Sequence, residues 1–110
     1  KLAFDCFAEE SFVGAVAATG ASQLLIAGME THICVTQTAL SGLRENFDVH
    51  VAADACCSRA SEHRQLALMR LRSAGAVVTT AESAAYELIG EAGTAEFRAV
   101  LAAVKDLPTS

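Results

Sequence analysis

Three short apolar segments, each followed by a helical pattern, limit what this chain can fold into more than any other property. Residues 24 to 28 (LLIAG), 47 to 54 (FDVHVAAD) and 76 to 80 (AVVTT) are apolar or β-branched and bounded by Gly, Asn or Asp, as strands of a parallel sheet are. The first is expected to be a strand buried on both faces. Residues 9 to 19 place Phe12, Val13 and Val16 on one helical face and end near Gly20. Residues 31 to 45 carry Val35, Ala39 and Leu43 one turn apart, with Ile33, Thr36 and Leu40 beside them. Residues 61 to 75 have Ser61 as N-cap, Ala67, Leu71 and Ala74 along one face, and Gly75 as the stop. After the third strand, Thr79 and Glu82 have capping-box spacing ahead of AAYELIG, and Thr94 caps a last helix with the stripe Phe97, Val100, Leu101 and Val104.

Helices and strands alternating in this order build right-handed βαβ units. The expected fold is α/β, a three-layer α/β/α Rossmann-like parallel sheet, in a single domain over residues 1–110. Three strands alone would leave the edge of LLIAG open to solvent. The sheet is therefore expected to be incomplete at its N-terminal side: either KLAF adds a short strand, or the natural protein continues before Lys1.

Of the 110 residues 53% are hydrophobic and 19% charged, and one is proline, a globular composition with room for one compact unit. The net charge is -5, and the basic residues are scattered and form no stripe that could neutralise phosphates. Nucleic acid and an acidic membrane surface are not expected as partners. No apolar run approaches the roughly 18 residues that span a bilayer, and KLAFDCF lacks the features of a signal peptide. A cytoplasmic location is expected, with four free thiols, Cys6, Cys34, Cys56 and Cys57, in a reducing compartment. Their spacing matches no metal site, and no G-x-G-x-x-G follows a strand, which weighs against half of a dinucleotide-binding domain. No cofactor and no metal ligand are assigned within the chain.

The stretch GMETHICV (28 to 35) lies at the carboxyl end of the first strand and leads into a helix. That is where open α/β sheets bind ligands and helix N-termini offer unpaired N–H groups. Cys34 falls in or just before the first helical turn, where the helix dipole favours a thiolate and backbone donors could hold an oxyanion. Packing stays open as its role on physics alone, and stands first, because free cysteine is a common buried small residue. Cys56 and Cys57, after Asp54, read as packing residues, and nothing near Cys6 activates it. His32 could serve Cys34 as a base, although residues two apart on a helix point to different sides. His50 and His63 read as partly exposed histidines.

These blocks resemble the isochorismatase-like hydrolases, a family that includes nicotinamidases and related cysteine amidohydrolases. The family's signature is an apolar strand followed by G-x-x-T-x-x-C-V and a helix. It is matched by LLIAG, Met29, Glu30, Thr31, His32, Ile33, Cys34, Val35 and then QTAL. FDVHVAADACCSR resembles the next strand with its V-x-D-A and S-R ending, and ALMRLRSAGAVVTTAES the following helix, A-G-A turn and strand. Residues 84 to 107 look most like the isochorismatase-domain-containing subgroup. Lys1, Phe4, Asp5, Cys6 and Phe7 fit the family's catalytic-lysine motif, with Asp5 where serine or threonine is more usual.

The resemblance implies a Cys, Lys, Asp triad with Cys34 as nucleophile and Lys1 as the cation that favours the thiolate and positions the carboxylate. It implies an oxyanion hole from the backbone N–H groups of Glu30 and Cys34, and a cis peptide between Met29 and Glu30. The implied reaction is cleavage of an amide-type C–N bond of a small molecule through a thioester. Cys34 favours this over the vinyl-ether branch, which often lacks the cysteine. The family's aspartate precedes its lysine motif, and neither Asp5 nor Glu30 matches it. The chain is accordingly expected to be the C-terminal part of such a hydrolase, inactive or nearly so alone, and homo-oligomeric when whole. Two rivals remain: an inactive member acting in binding or assembly, and a thiol redox sensor pairing Cys34 with Cys56 or Cys57.

Overall fold

The computed structural model describes residues 2–107. Its centre is a parallel sheet in the order β1 (Gln23–Met29), β2 (Asp48–Cys57), β3 (Val77–Thr79). Two βα crossovers that step the same way across a parallel sheet put their helices on one face. α2 (Thr36–Arg44) and α3 (Ser61–Ala74) lie together there, against the inward residues Val49 and Val51 of β2. Val35, Ala39, Leu71 and Ala76 complete this core, with Leu71, Val51 and Ala39 wholly buried. Gly42 lets α2 approach closely: a Cβ there would come within 3.0 Å of Val49 and 3.3 Å of Leu24.

The other face has thinner cover. α4 (Ala81–Ile89) packs on β2 through the buried Ala84, and α5 (Ala95–Val104) packs on α4, where the Tyr86 and Phe97 rings lie 6.0 Å apart. An open groove of about 590 Å³ runs along the amino-terminal half of β1, lined by Leu25, His50, Ala84 and Leu88 among others. β1 is thus a sheet edge and is half covered, with Leu25 51% exposed. The expectation of burial on both faces fails, because the described residues leave an open groove beside Leu25.

Near the N-terminus KLAF contributes no strand among its described residues. Instead Asp5 caps a turn of 3-10 helix, Cys6–Ala8, by accepting from the Phe7 N–H at 2.9 Å. Asp5 also accepts from Ser41 of α2, Arg44 donates to Ser41 at 2.7 Å, and the Cys6 N–H donates to Thr38 at 3.0 Å. Phe7 meets Phe12 of α1 (Glu10–Thr19) edge-on at 5.1 Å and Phe47 at 5.9 Å. The short segment is thereby fastened to α2, the helix that follows Cys34.

Gly20 and Gly75 end α1 and α3 in left-handed conformations, and Thr94 caps α5 through the Phe97 N–H. Two caps differ from expectation by one residue. Ala60, with extended φ and ψ, precedes α3, which makes Ser61 its first helical residue. Thr80 caps α4 by accepting from Ser83 at 3.0 Å, because Thr79 is held in β3 opposite Ala52.

Candidate active site at the carboxyl ends of the strands

GMETHICV does not enter its helix as a plain α-turn. Thr31–Val35 form a wide π-helical turn that continues directly into α2. Glu30, with extended backbone, precedes it, and its carbonyl accepts from the N–H groups of Ile33 and Val35. The Met29 to Glu30 peptide is cis. Val35 and Thr31 anchor the turn in the core, and Cys34 is partly buried in it. Thr36 donates its hydroxyl to the Thr31 carbonyl at 2.7 Å, whereas the buried Thr31 hydroxyl has no partner among the described residues.

The turn is held by the loop after β2. Glu30 accepts from both the backbone N–H of Arg59, at 2.9 Å, and its Nε, at 3.2 Å, on the same carboxylate oxygen. That backbone donor is the main reason the Glu30 carboxyl is held below its usual range; burial opposes it, and the Arg59 charge and side-chain bond and the His32 charge add to it in lesser degree. His32 Nδ1 shares a 2.8 Å hydrogen bond with the Ser58 hydroxyl, and its ring meets that of His63 on α3 at 4.7 Å. His32 therefore turns toward α3 and the loop before it.

β1 and β2 meet the site through an irregularity. Pairing runs from Gln23 with Asp48 to Ile26 with Val51, then resumes at Gly28 with Cys56 and Met29 with Cys57. Four residues of β2, Ala52 to Ala55, stand opposite Ala27 alone, a large bulge. The bulge frees two groups for other work: Asp54 accepts from the Ala81 N–H at the start of α4, at 2.8 Å, and Ala53 offers its carbonyl to Arg64. Arg64 also donates to the Cys56 carbonyl at 3.1 Å.

All four cysteines are free. Burial pushes the Cys56 thiol up, which makes it a poor thiolate, while Cys57 is exposed. Lys1 lies outside the described residues. Among those residues no group of three or more His, Cys, Asp or Glu could hold a metal ion, and no helix is long and apolar enough to cross a membrane. The contacts of Glu30 and His32 with Ser58 and Arg59 were not visible in sequence, since they join positions 26 to 29 residues apart. The S-R ending of the second block was the one signal pointing toward them.

A family model described as Isochorismatase domain matches residues 1–83. Isochorismatase domain-containing protein 2 of Bos taurus is 41% identical over 83 residues, covering 76% of this chain and 41% of its own length. The YcaC gene product of Escherichia coli, described as an octameric hydrolase of unknown specificity, superposes with a TM-score of 0.78 at 32% identity, over 96% of this chain and 58% of that one. The nicotinamidase SaPncA of Staphylococcus aureus superposes with a TM-score of 0.68 at 27% identity, over 73% of this chain and 50% of its own. The chain thus spans about two fifths of the length of the curated relatives it matches.

Proposed function

On the premise that the chain belongs to the isochorismatase domain family, a family of hydrolases, we propose that it carries the nucleophile of a cysteine hydrolase that cleaves the C–N bond of a small amide. The observation that carries this reading is the place of Cys34: partly buried, in the first turn of a helical segment, at the carboxyl end of the parallel strand β1. Positive potential and unpaired N–H groups collect at a helix N-terminus, so negative charge on sulfur or on a carbonyl oxygen is stabilised there. A nicotinamidase among the structural neighbours supports an amide as the scissile group.

In this mechanism the Cys34 sulfur attacks the carbonyl carbon, and the backbone N–H groups of Glu30 and Cys34 hold the oxyanion. The tetrahedral species collapses to a thioester as the amine or ammonia leaves with a proton. Water then attacks the thioester, releasing the acid and restoring the thiolate. In the triad implied by resemblance Lys1 is the cation that favours the thiolate, and the proton transfers belong to an aspartate that no residue of this chain matches. These 110 residues are accordingly proposed to react with acyl donors once but to turn over amides poorly. The whole enzyme is proposed to be cytoplasmic and homo-oligomeric, the latter supported by the octameric neighbour.

The test is alkylation of the native chain at neutral pH with iodoacetamide, followed by peptide mapping. Cys34 is expected to react first and Cys56 last; equal labelling of Cys34, Cys57 and Cys6 would overturn the assignment.

A further inference from the structure

Glu30 and His32 flank Thr31 in the turn that carries Cys34, and consecutive residues of the β2 to α3 loop hold both. Ser58 takes the His32 ring at 2.8 Å, and Arg59 closes a two-point chelate on one Glu30 oxygen at 2.9 and 3.2 Å. The His63 ring, at 4.7 Å, backs His32 from α3. An ion pair with a side chain as exposed as that of Arg59, at 84%, contributes little to stability. The Arg59 side chain thus adds little to whatever stability the backbone bond to Glu30 contributes. What the arrangement does fix is direction: a backbone N–H has no rotamer of its own, and its aim follows from how firmly its residue is held.

We propose that Ser58 and Arg59 are positioning residues that, through the side chains of Glu30 and His32, aim the Glu30 N–H at the oxyanion formed when Cys34 is acylated. This rests on Cys34 being the nucleophile. Removing an oxyanion donor costs roughly a hundred- to a thousand-fold in rate, and one left in place but loosely aimed should cost about tenfold.

Two reactions of the same sulfur separate aim from structure. Alkylation by iodoacetamide displaces iodide at a saturated carbon and forms no oxyanion. Acylation by p-nitrophenyl acetate forms the S–C bond while the carbonyl electron pair moves to oxygen, then expels p-nitrophenolate; its leaving group needs no acid. In the purified 110-residue chain, Glu30→Ala is expected to slow acylation of Cys34 about tenfold and Arg59→Ala about threefold, with alkylation within about twofold of the unsubstituted chain. Glu30→Gln, which can still accept from the Arg59 N–H, should recover most of the rate. Unchanged acylation in Glu30→Ala, or acylation and alkylation falling together, would overturn the proposal. Should Glu30→Ala lose its circular dichroism, Arg59→Ala decides alone, since it removes one exposed side chain and leaves the backbone bond. Acylation of the unsubstituted chain at a cysteine other than Cys34, read from the peptide map, would overturn the nucleophile itself, a failure distinct from that of the clamp.

Discussion

At the scale of single residues, Glu30 links stability to pH in a definite direction. Its carboxyl is held below the usual range by the Arg59 N–H, so the folded protein prefers the ionised form more than the unfolded chain does. A carboxyl lowered on folding contributes stability that is complete above the unfolded value, about 4.3, and is lost as pH falls through the folded one. Urea unfolding of the chain and of Glu30→Gln should therefore differ at pH 7, with the gap narrowing as the pH falls below the unfolded value; a gap independent of pH would contradict this. Position by position the sequence was legible where backbone chemistry is local. Cys34 at a strand end and Thr94 as a cap follow from spacing, and the signature block singles out Glu30. The role of the Glu30 side chain was not legible, because its partner is 29 residues away and chosen by tertiary packing.

At the scale of elements, α2 carries the site on one end and the core along its side, and Gly42 is where the two demands meet. The closest atoms to a side chain there belong to Val49, a strand residue with 1% of its surface exposed and no room to retreat. Gly42→Val is expected to destabilise the chain by about 1 to 3 kcal/mol through overpacking, seen as a lower midpoint in thermal unfolding. An unchanged midpoint would mean that α2 can lift off the sheet. Element type was readable for all three strands and for the helices, since apolar periodicity is a local property. The π-turn, the bulge in β2 and the one-residue shift of the α4 cap were not: the last two are set by register between strands and the first by packing of Thr31 and Val35 in the core. The single-face exposure of β1 escaped the sequence for a related reason: an unbroken apolar run records what the strand needs for cover, and the described residues provide only part of it.

At the scale of the whole molecule, the chain is looser than its length requires. Its radius of gyration is 14.9 Å, against about 13 Å for a compact domain of this size. The open edge of β1, uncharged from Gly20 to Met29, and the groove beside Leu25 and Leu88, with Glu87 in its wall, make a partly apolar surface. The isolated chain should self-associate with rising concentration, and Leu25→Glu should shift it toward monomer in light scattering while leaving thermal unfolding nearly unchanged. Equal association of both forms would place the contact elsewhere. The β2 bulge has a different consequence. Before it, Asp48 to Val51 pair with β1 and His50 to Ala52 with β3; after it, Cys56 and Cys57 pair with β1 again, beside the Cys34 turn. The intervening stretch reaches α4 through Asp54. That one unpaired stretch also reaches α3, through the Ala53 carbonyl and Arg64, so the length of the bulge sets where both helices stand relative to the Cys34 turn.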